Sequence, residues 1–496
     1  MHRELQRKIF LHSLQECAQK EDISTGRKMH CLFLLQNISS SGVLEDYLLR
    51  LYAFHGTLLE ANLIFCESFK PSVYTWYAII SAHIAHNEGH VSLMLYQNMI
   101  KNDVIPNNYI LSCIMKCCSL NVVTCGMIIH HHAIEYGLFS DVVVATSLVS
   151  QYARCGMLRD AYNVFERMKN RNVVTYGAMI LGYARYGCII QAFELFHLMQ
   201  NNEKIMPNRV IFFCMISACG VLSGLEEGRF IHDLVIRNGI ESDLAVGNTL
   251  VDMYAKCGSI KEAQNVFDIL PDRNIVSWGA MITGYAHLDY GSVALQLFRE
   301  MQKNNIKPNR VIYLSVLKAC VNVGVIDQGE AIHNQILASG LDLELPIRSS
   351  LIDMYVKFGN LTKARRIFDN SPFKNVVLFS VMLSGYLQHE EDLLAFQLFE
   401  KMEEFDIVPD IYVFTCVLKA CGLARSLVEA KWIHCSIIRA NLECDVAVGG
   451  SLIDVYSKCG CLEEARKVFD KLPQKNEVAW GAMLSGYNQH GQECLA

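Results

Sequence analysis

A chain of 496 residues that is 52% hydrophobic, 19% charged and holds nine prolines has ample material for a buried core, and no uninterrupted apolar run in it reaches the ~18–20 residues that cross a bilayer. Its formal net charge of −6 speaks against a general nucleic-acid binder, because neutralising phosphates needs Lys and Arg, so any such role has to rest on a local basic surface. Twenty cysteines without a secretory leader, the periodic ones among them set inside helical apolar patterns, describe a soluble protein of a reducing compartment rather than a disulfide framework.

From the amino terminus, residues 1–6 form a stub and repeat text begins by Arg7. Cys17, Cys118, Cys219, Cys320 and Cys421 follow one another at a constant interval of 101 residues, each closing a short apolar stretch, as in Ser13-Leu14-Gln15-Glu16-Cys17 and Ser315-Val316-Leu317-Lys318-Ala319-Cys320. Self-similarity at a fixed period marks stacked supersecondary units, so one continuous solenoid replaces a count of globular domains. Successive cysteines of this series are about six packed helices apart, at ~8–10 Å per helix, and cannot bond to one another.

Aligning the aromatic and Gly-Tyr positions divides each interval into three units. In chain order, a cysteine-bearing unit at 7–41, a short unit at 42–72 and a Gly-Tyr unit at 73–107 are followed by 108–141, 142–172 and 173–208, then 209–243, 244–274 and 275–309, then 310–344, 345–375 and 376–410, then 411–445, 446–476 and a partial Gly-Tyr unit at 477–496. Each holds two helical patterns. In the second, Ala161, Val164, Phe165 and Met168 fall at i, i+3, i+4 and i+7, as do Ala263, Val266, Phe267 and Leu270, which predicts one apolar face per helix. Turn signals separate helices at Cys257-Gly258-Ser259 and units at Lys307-Pro308-Asn309. The expected fold is all-α, a right-handed α-solenoid superhelix of helix-turn-helix repeats with the first helices lining one concave face.

Candidate chemistry is sparse. His30, His130, His232, His333 and His434 repeat in the cysteine-bearing units, and His130-His131-His132 looks like a metal cluster, but a zinc site needs convergent ligands from a second source, so these read as packing or surface residues. The periodic cysteines read as small core residues. His86-Asn87-Glu88 matches the H-x-E of zinc deaminases without the required P-C-x-x-C partner. No catalytic site, metal or cofactor is expected.

The strings "VVTYGAMILGYARYG" at 173–187, "GNTLVDMYAKCGSIKEAQNVFDILPDRN" at 247–274 and "GGSLIDVYSKCGCLEEARKVFDKLPQKN" at 449–476 resemble the pentatricopeptide repeat (PPR) proteins of plants, in the subclass built from P, L and S triplets. On this resemblance the cysteine-bearing units are L, the short units S and the Gly-Tyr units P. It implies single-stranded RNA binding in mitochondria or chloroplasts, one base per repeat, by a specificity factor for organellar RNA processing. Cytidine-to-uridine editing is the foremost activity it implies, with editing-complex proteins or a deaminase acting in trans. A base splayed from a single strand can be read by two or three side chains of one helical repeat; in the family these are the fifth and last residues of a unit, with the second residue clamping the base.

Carried onto this chain, the best-formed readers are Thr146 with Asn172, Asn248 with Asn274, Ser349 with Asn375, and Ser380 with Asp410. A hydroxyl with Asn resembles the family's adenine reader, a hydroxyl with Asp its guanine reader and two asparagines a pyrimidine reader, giving 5′-A-N-N-Y-N-N-A-G as a partial target. Thr415 with Asp445 adds a weaker guanine reader. Val143, Val174, Val276, Val311 and Val377 take clamp positions. Gly177, Gly279, Gly450 and Gly481 at fifth positions offer no side chain, and Tyr77, Phe213 and Leu314 are bulky or apolar there, so those units are expected to read poorly. Arg154, Lys256, Lys357 and Lys458 share one place in four successive S units and resemble phosphate-facing cations, joined by Arg185.

Plainer readings stand beside these. Asn and Asp before a helix are preferred N-caps, and Lys at a helix end suits the C-terminal dipole. A protein-binding scaffold of the tetratricopeptide kind shares the helix-pair architecture, although the alternation of unit lengths and the polar pairs argue against it. Repeat text from Arg7 leaves no room for a transit peptide, and the chain stops twenty residues into a P unit, before the E and deaminase extensions of many relatives.

Overall fold

The computed structural model describes residues 12–13, 17, 23–35, 42–55, 57–68, 70–117 and 123–491; Cys118, the repeat start at Arg7 and the final residues 492–496 lie outside them. Every regular element among the described residues is helical, and none of these helices is long and apolar enough to cross a membrane. The chain forms two compact bodies, Met1–Cys257 and Gly258–Ala496. In the first, Ile23–Leu35 precedes the pairs Gly42–His55 with Leu58–Glu67, Val73–Ala85 with Gly89–Lys101, Asn108–Cys117 with Val123–Glu135, Val142–Arg154 with Leu158–Arg167, Val173–Arg185 with Ile189–His197 and Arg209–Leu222 with Leu225–Arg237, and Leu244–Lys256 closes it. The second opens on Ile260–Ile269 and continues with Ile275–His287 and Gly291–Lys303, Arg310–Val323 and Ile326–Ser339, Leu345–Lys357 and Leu361–Asp369, Val376–Gln388 and Asp392–Glu404, Ile411–Ala424 and Leu427–Arg439, Val446–Lys458 and Leu462–Lys471, and Glu477–Gln489. Within each body a first helix packs on its own second helix and on the next first helix.

The first helices start where they do because a short polar side chain stands before them. Asn172, Asn208, Asn309, Asn375 and Asn476 each accept a backbone N–H through the side chain, as do Asp141, Asp243, Asp410 and Asp445, satisfying donors that the helix itself leaves orphaned. Second helices come in two lengths. Those of the short units run 9 to 10 residues, as at Leu361–Asp369 and Leu462–Lys471, against 13 at Gly291–Lys303, a difference of about one turn that keeps the buried face in register. The unit at 173–208 is one residue longer than its counterparts, and its second helix ends in a single π turn at Leu198–Asn202 that absorbs the extra residue.

One aromatic pair recurs between a short second helix and the following first helix. Phe165 meets Tyr176 at 5.0 Å, Phe368 meets Phe379 at 4.9 Å and Phe469 meets Trp480 at 4.7 Å, all edge to face, a geometry worth ~0.5–1.5 kcal/mol beyond burial. Arg171, Arg273 and Lys374 lie over Phe165, Phe267 and Phe368 and donate to carbonyls at the end of the same helix. These cations therefore serve the core edge. Glycine in the Gly-Tyr text marks the closest approach of successive first helices: a methyl at Gly385 would stand 2.5 Å from Val356 Cγ2, and one at Gly182 2.7 Å from Ala153 Cβ.

The repeated histidines are ties between consecutive units. Nδ1 of His30, His130, His232, His333 and His434 shares a hydrogen bond of 2.8 to 3.2 Å with the hydroxyl of Tyr52, Tyr152, Tyr254, Tyr355 and Tyr456 respectively. Burial lowers the pKa of His30, His130, His333 and His434 and pushes the Tyr152, Tyr355 and Tyr456 phenols up to about 12. The unfolded chain thus takes up protons that the folded one resists as pH falls through ~6.5. Stability is full above that pH and declines below it, toward the lowered folded values. We expect Tm to fall between about pH 7.5 and about pH 5.5, and His333→Gln, which keeps a hydrogen-bonding atom without the titration, to make that fall shallower; a pH-independent Tm would contradict this account. The periodic Cys219, Cys320 and Cys421 are buried, and burial pushes each thiol up to about 12.

Candidate nucleic-acid interface

The second residue of the first helices faces outward. Val143, Val174, Val276, Val311 and Val377 are 46% to 60% exposed, whereas the next residue inward is buried in each case, as at Val144, Thr175 and Leu378. Tyr74, Tyr109, Val210, Tyr412 and Val478 hold the same place and are exposed too; the sequence reading passed over them although the same count from the unit start reaches them. An apolar side chain held out at one place in helix after helix is surface that a ligand gains by covering.

Beside each clamp stands the cap of the same helix, and capping determines what that side chain has left to offer. Asn172 Oδ1 accepts the Val174 and Thr175 N–H groups at 3.0 Å, and Asn375 Oδ1 accepts that of Leu378 at 3.1 Å. Their Nδ2 remains as a donor. Asp410 Oδ1 accepts the Val413 N–H at 2.8 Å, which leaves Oδ2 as an acceptor. The structure joins Thr146 to Asn172 through Thr175, whose hydroxyl lies 2.8 Å from Thr146 Oγ1 and donates to Asn172 Oδ1 at 3.0 Å. Ser349 and Ser380 instead donate to carbonyls of their own helices, at Pro346 and Val376. Asn248 is buried to 8% exposure in the last helix of the first body, and Asn274 caps Ile275–His287 in the second.

In three of the cysteine-bearing units a side-chain oxygen of the last residue is already engaged by the first residue of the same unit. Asn108 Nδ2 donates to Asp141 Oδ2 at 3.0 Å, Arg209 pairs with Asp243 at 3.1 Å and Arg310 with Glu344 at 3.4 Å. Ile411 opens the fifth cysteine-bearing unit and offers no such partner to Asp445, whose Oδ1 caps Ala447 and Val448.

The cations divide in the same way. Lys256, Lys357 and Lys458 each pair with the aspartate one turn earlier, Asp252, Asp353 and Asp454, at 2.6 to 2.7 Å. The three lysines expected to face phosphate are thus ion-paired along their own helices. Arg154 and Arg185 are exposed, and neither forms an ion pair with the described residues. The histidine triplet diverges: His130 bonds Tyr152, His132 bonds Tyr96 at 2.8 Å and His131 lies 3.7 Å from Glu135. His86-Asn87-Glu88 is the turn between two helices, with Glu88 on His83 at 2.7 Å and Asn87 at φ 62°.

A helical-repeat array whose first helices carry an outward apolar residue beside a polar cap has the architecture of a modular binding protein. Its repeats match the PPR repeat family model at residues 273–322 and 374–422 and the PPR repeat model at 143–173, 174–203, 248–275, 348–371 and 450–477. The chain is 33% identical over 488 residues to pentatricopeptide repeat-containing protein At2g33680 of Arabidopsis thaliana, covering 97% of this chain and 67% of that protein. It is 32% identical over 440 residues to the chloroplastic pentatricopeptide repeat-containing protein At4g18520 of the same plant, covering 88% and 71%. The crystal structure of the pentatricopeptide repeat protein PPR10 in complex with an 18-nt psaJ RNA element shares the fold, with a TM-score of 0.63, 16% identity and coverage of 99% of this chain and 78% of that one. The chain belongs to the pentatricopeptide repeat family, and it spans 67% and 71% of the length of these two relatives.

Proposed function

We propose that this protein, a member of the family's P, L and S subclass, binds single-stranded RNA with one base per repeat and acts as a specificity factor for organellar RNA processing. The reading extends to cytidine-to-uridine editing, with the deaminase supplied in trans or by sequence beyond this chain, and assigns no catalytic step to these residues. The exposed clamp series beside caps whose spare atoms differ, donor at Asn and acceptor at Asp, is the observation that carries it. Relatives named as chloroplastic or mitochondrial support an organellar site of action.

The test is a binding selection from a random single-stranded RNA pool. Enrichment of 5′-A-N-N-Y-N-N-A-G is expected, with a further G directly 3′ of it read by Thr415 and Asp445, since the untied Asp445 makes this the best of the L readers; a pool that returns no base preference sinks the proposal. The ion pairs give a second test. The triple variant Asp252→Asn, Asp353→Asn, Asp454→Asn frees three lysines, so RNA affinity rises at low salt and the slope of log K against log salt steepens by about 2, at ~0.7 per phosphate contact. Exposed pairs hold ~0–1 kcal/mol each, so the melting temperature should scarcely move, and an unchanged slope would place these lysines away from the RNA.

A further inference from the structure

The second body carries a charged cavity between the second helices Ile326–Ser339 and Leu361–Asp369, lined by none of the second, fifth or last residues of its units. We propose that it binds a small organic phosphate, with the phosphoryl group on Arg348 and Arg366 and the apolar body against Leu337, Leu351 and Ile367. The proposal does not depend on RNA binding.

A coupled exchange in the core makes room for it. In three other short units the fourth residue is small and the twenty-seventh is large and buried: Ala145 with Met168, Gly247 with Leu270, and Gly449 with Leu472. Leu472 occupies the space over Gly449, where a methyl would stand 2.5 Å from its Cδ2. The unit at 345–375 has Arg348 and Ser371 at these places, both buried. Ser371 donates to the Phe373 carbonyl at 2.9 Å, so no large apolar side chain comes from that position. A cavity of about 380 Å³ lies beside Arg348, within the ~300–1,000 Å³ of small-ligand sites.

A second exchange reverses the charge of one wall. The nineteenth residue of the other four short units is acidic, Glu60, Asp160, Glu262 and Glu464, and here it is Lys363. Arg27 holds Glu60 at 2.9 Å across the first such boundary, whereas here Glu330 holds Lys363 with the signs inverted. Lys363 and Arg348 thus have carboxylate neighbours, Glu330 and Asp342. Arg366 is exposed and forms no ion pair with the described residues, which leaves the cavity one positive charge in excess. Arg348, only 6% exposed, donates through Nε to the Asp342 carbonyl at 2.7 Å and through Nη1 to that of Asn370 at 2.9 Å. Those two carbonyls fix the guanidinium plane, while Nη2 stands 3.8 Å from Asp342 Oδ2, too far for a hydrogen bond. A buried guanidinium cannot shed its proton, and its unfilled edge is a donor set for an oxyanion. A carboxylate is served by one planar fork, whereas the three oxygens of a phosphoryl group take donors from separate directions, as buried Arg348 and exposed Arg366 supply them.

Isothermal titration calorimetry of the full chain with phenyl phosphate at neutral pH is the test. Saturable binding at one site per chain is expected, tighter than that of inorganic phosphate, which lacks the apolar body, and of benzoate, which lacks the third oxygen. Arg366→Gln should weaken phenyl phosphate about tenfold, the scale of one charge-assisted hydrogen bond, and leave the melting temperature unchanged. Arg348→Gly with Ser371→Leu installs the pair that stands at Gly449 and Leu472; it should fill the cavity and abolish binding while circular dichroism shows the chain still folded. A wild type that gives no saturable heat, or either variant binding like wild type, overturns the site. Benzoate bound as tightly as phenyl phosphate overturns the phosphate assignment. A random single-stranded RNA pool in excess should leave phenyl phosphate in place; displacement would make the cavity a contact for the RNA backbone and overturn the small ligand.

Discussion

In a binding selection, Asn375→Asp is expected to move one position of the preferred RNA from adenine toward guanine and to leave the other positions unchanged. Asn375 caps Val376–Gln388 through Oδ1 on the Leu378 N–H at 3.1 Å, and aspartate is as good a cap as asparagine. The helix therefore starts at the same residue in the variant. What changes is the atom that capping leaves over, a donor Nδ2 in the wild type and an acceptor Oδ2 in the variant. Adenine presents a bare ring nitrogen at the centre of its Watson–Crick edge and accepts there, whereas guanine carries a hydrogen on that atom and donates. The swap reverses one hydrogen bond at fixed geometry. A good base contact discriminates by ~1–3 kcal/mol, so a shift of about tenfold or more at one position is the expected scale. Measured melting temperatures should agree between the two proteins, because both hold the cap. A variant that melts like wild type yet keeps the same base at every position would remove Asn375 from recognition and leave it a cap alone.

The repeat architecture was readable before any coordinates because each unit announces its helices in several ways at once. A polar cap, a 3.6-residue apolar face and a Gly-rich turn agree at Asn375, at Ala364 with Phe368 and at Gly359, and agreement across levels is what makes a sequence specify one structure. The π turn at Leu198–Asn202 was not foreseen, although the unit around it is one residue longer than its counterparts. The site was harder. Ser349 and Ser380 are hydroxyls at the expected places, but nothing in their identity says that they turn to Pro346 and Val376 carbonyls. The Lys357 ammonium belongs to Asp353, and i,i+4 pairing could have been read from the sequence had the carboxylate been weighed along with the cation.

Stability and recognition meet at Phe368, and Phe368→Ala carries the largest expected loss of stability. Its ring is 1% exposed, meets Phe379 edge to face at 4.9 Å and lies 5.6 Å under the Lys374 ammonium, which also donates to the Asp369 and Ser371 carbonyls. Truncation removes the packing between Leu361–Asp369 and Val376–Gln388, and the surrounding helices relax only in part, so a loss of ~3–5 kcal/mol is expected in chemical denaturation. Phe368→Leu keeps most of the volume and should lose far less. Because each repeat in an array is stabilised by its neighbours, the damage stays near the two units that hold Ser349, Asn375 and Ser380. Amide exchange should rise first in Leu361–Asp369 and Val376–Gln388, and RNA selected by this variant should lose preference at the A and G proposed for those residues before it loses preference elsewhere. If exchange instead rises evenly from Gly258 to Gly491, the second body unfolds as one cooperative block, and its repeats cannot be tuned one base at a time through their cores.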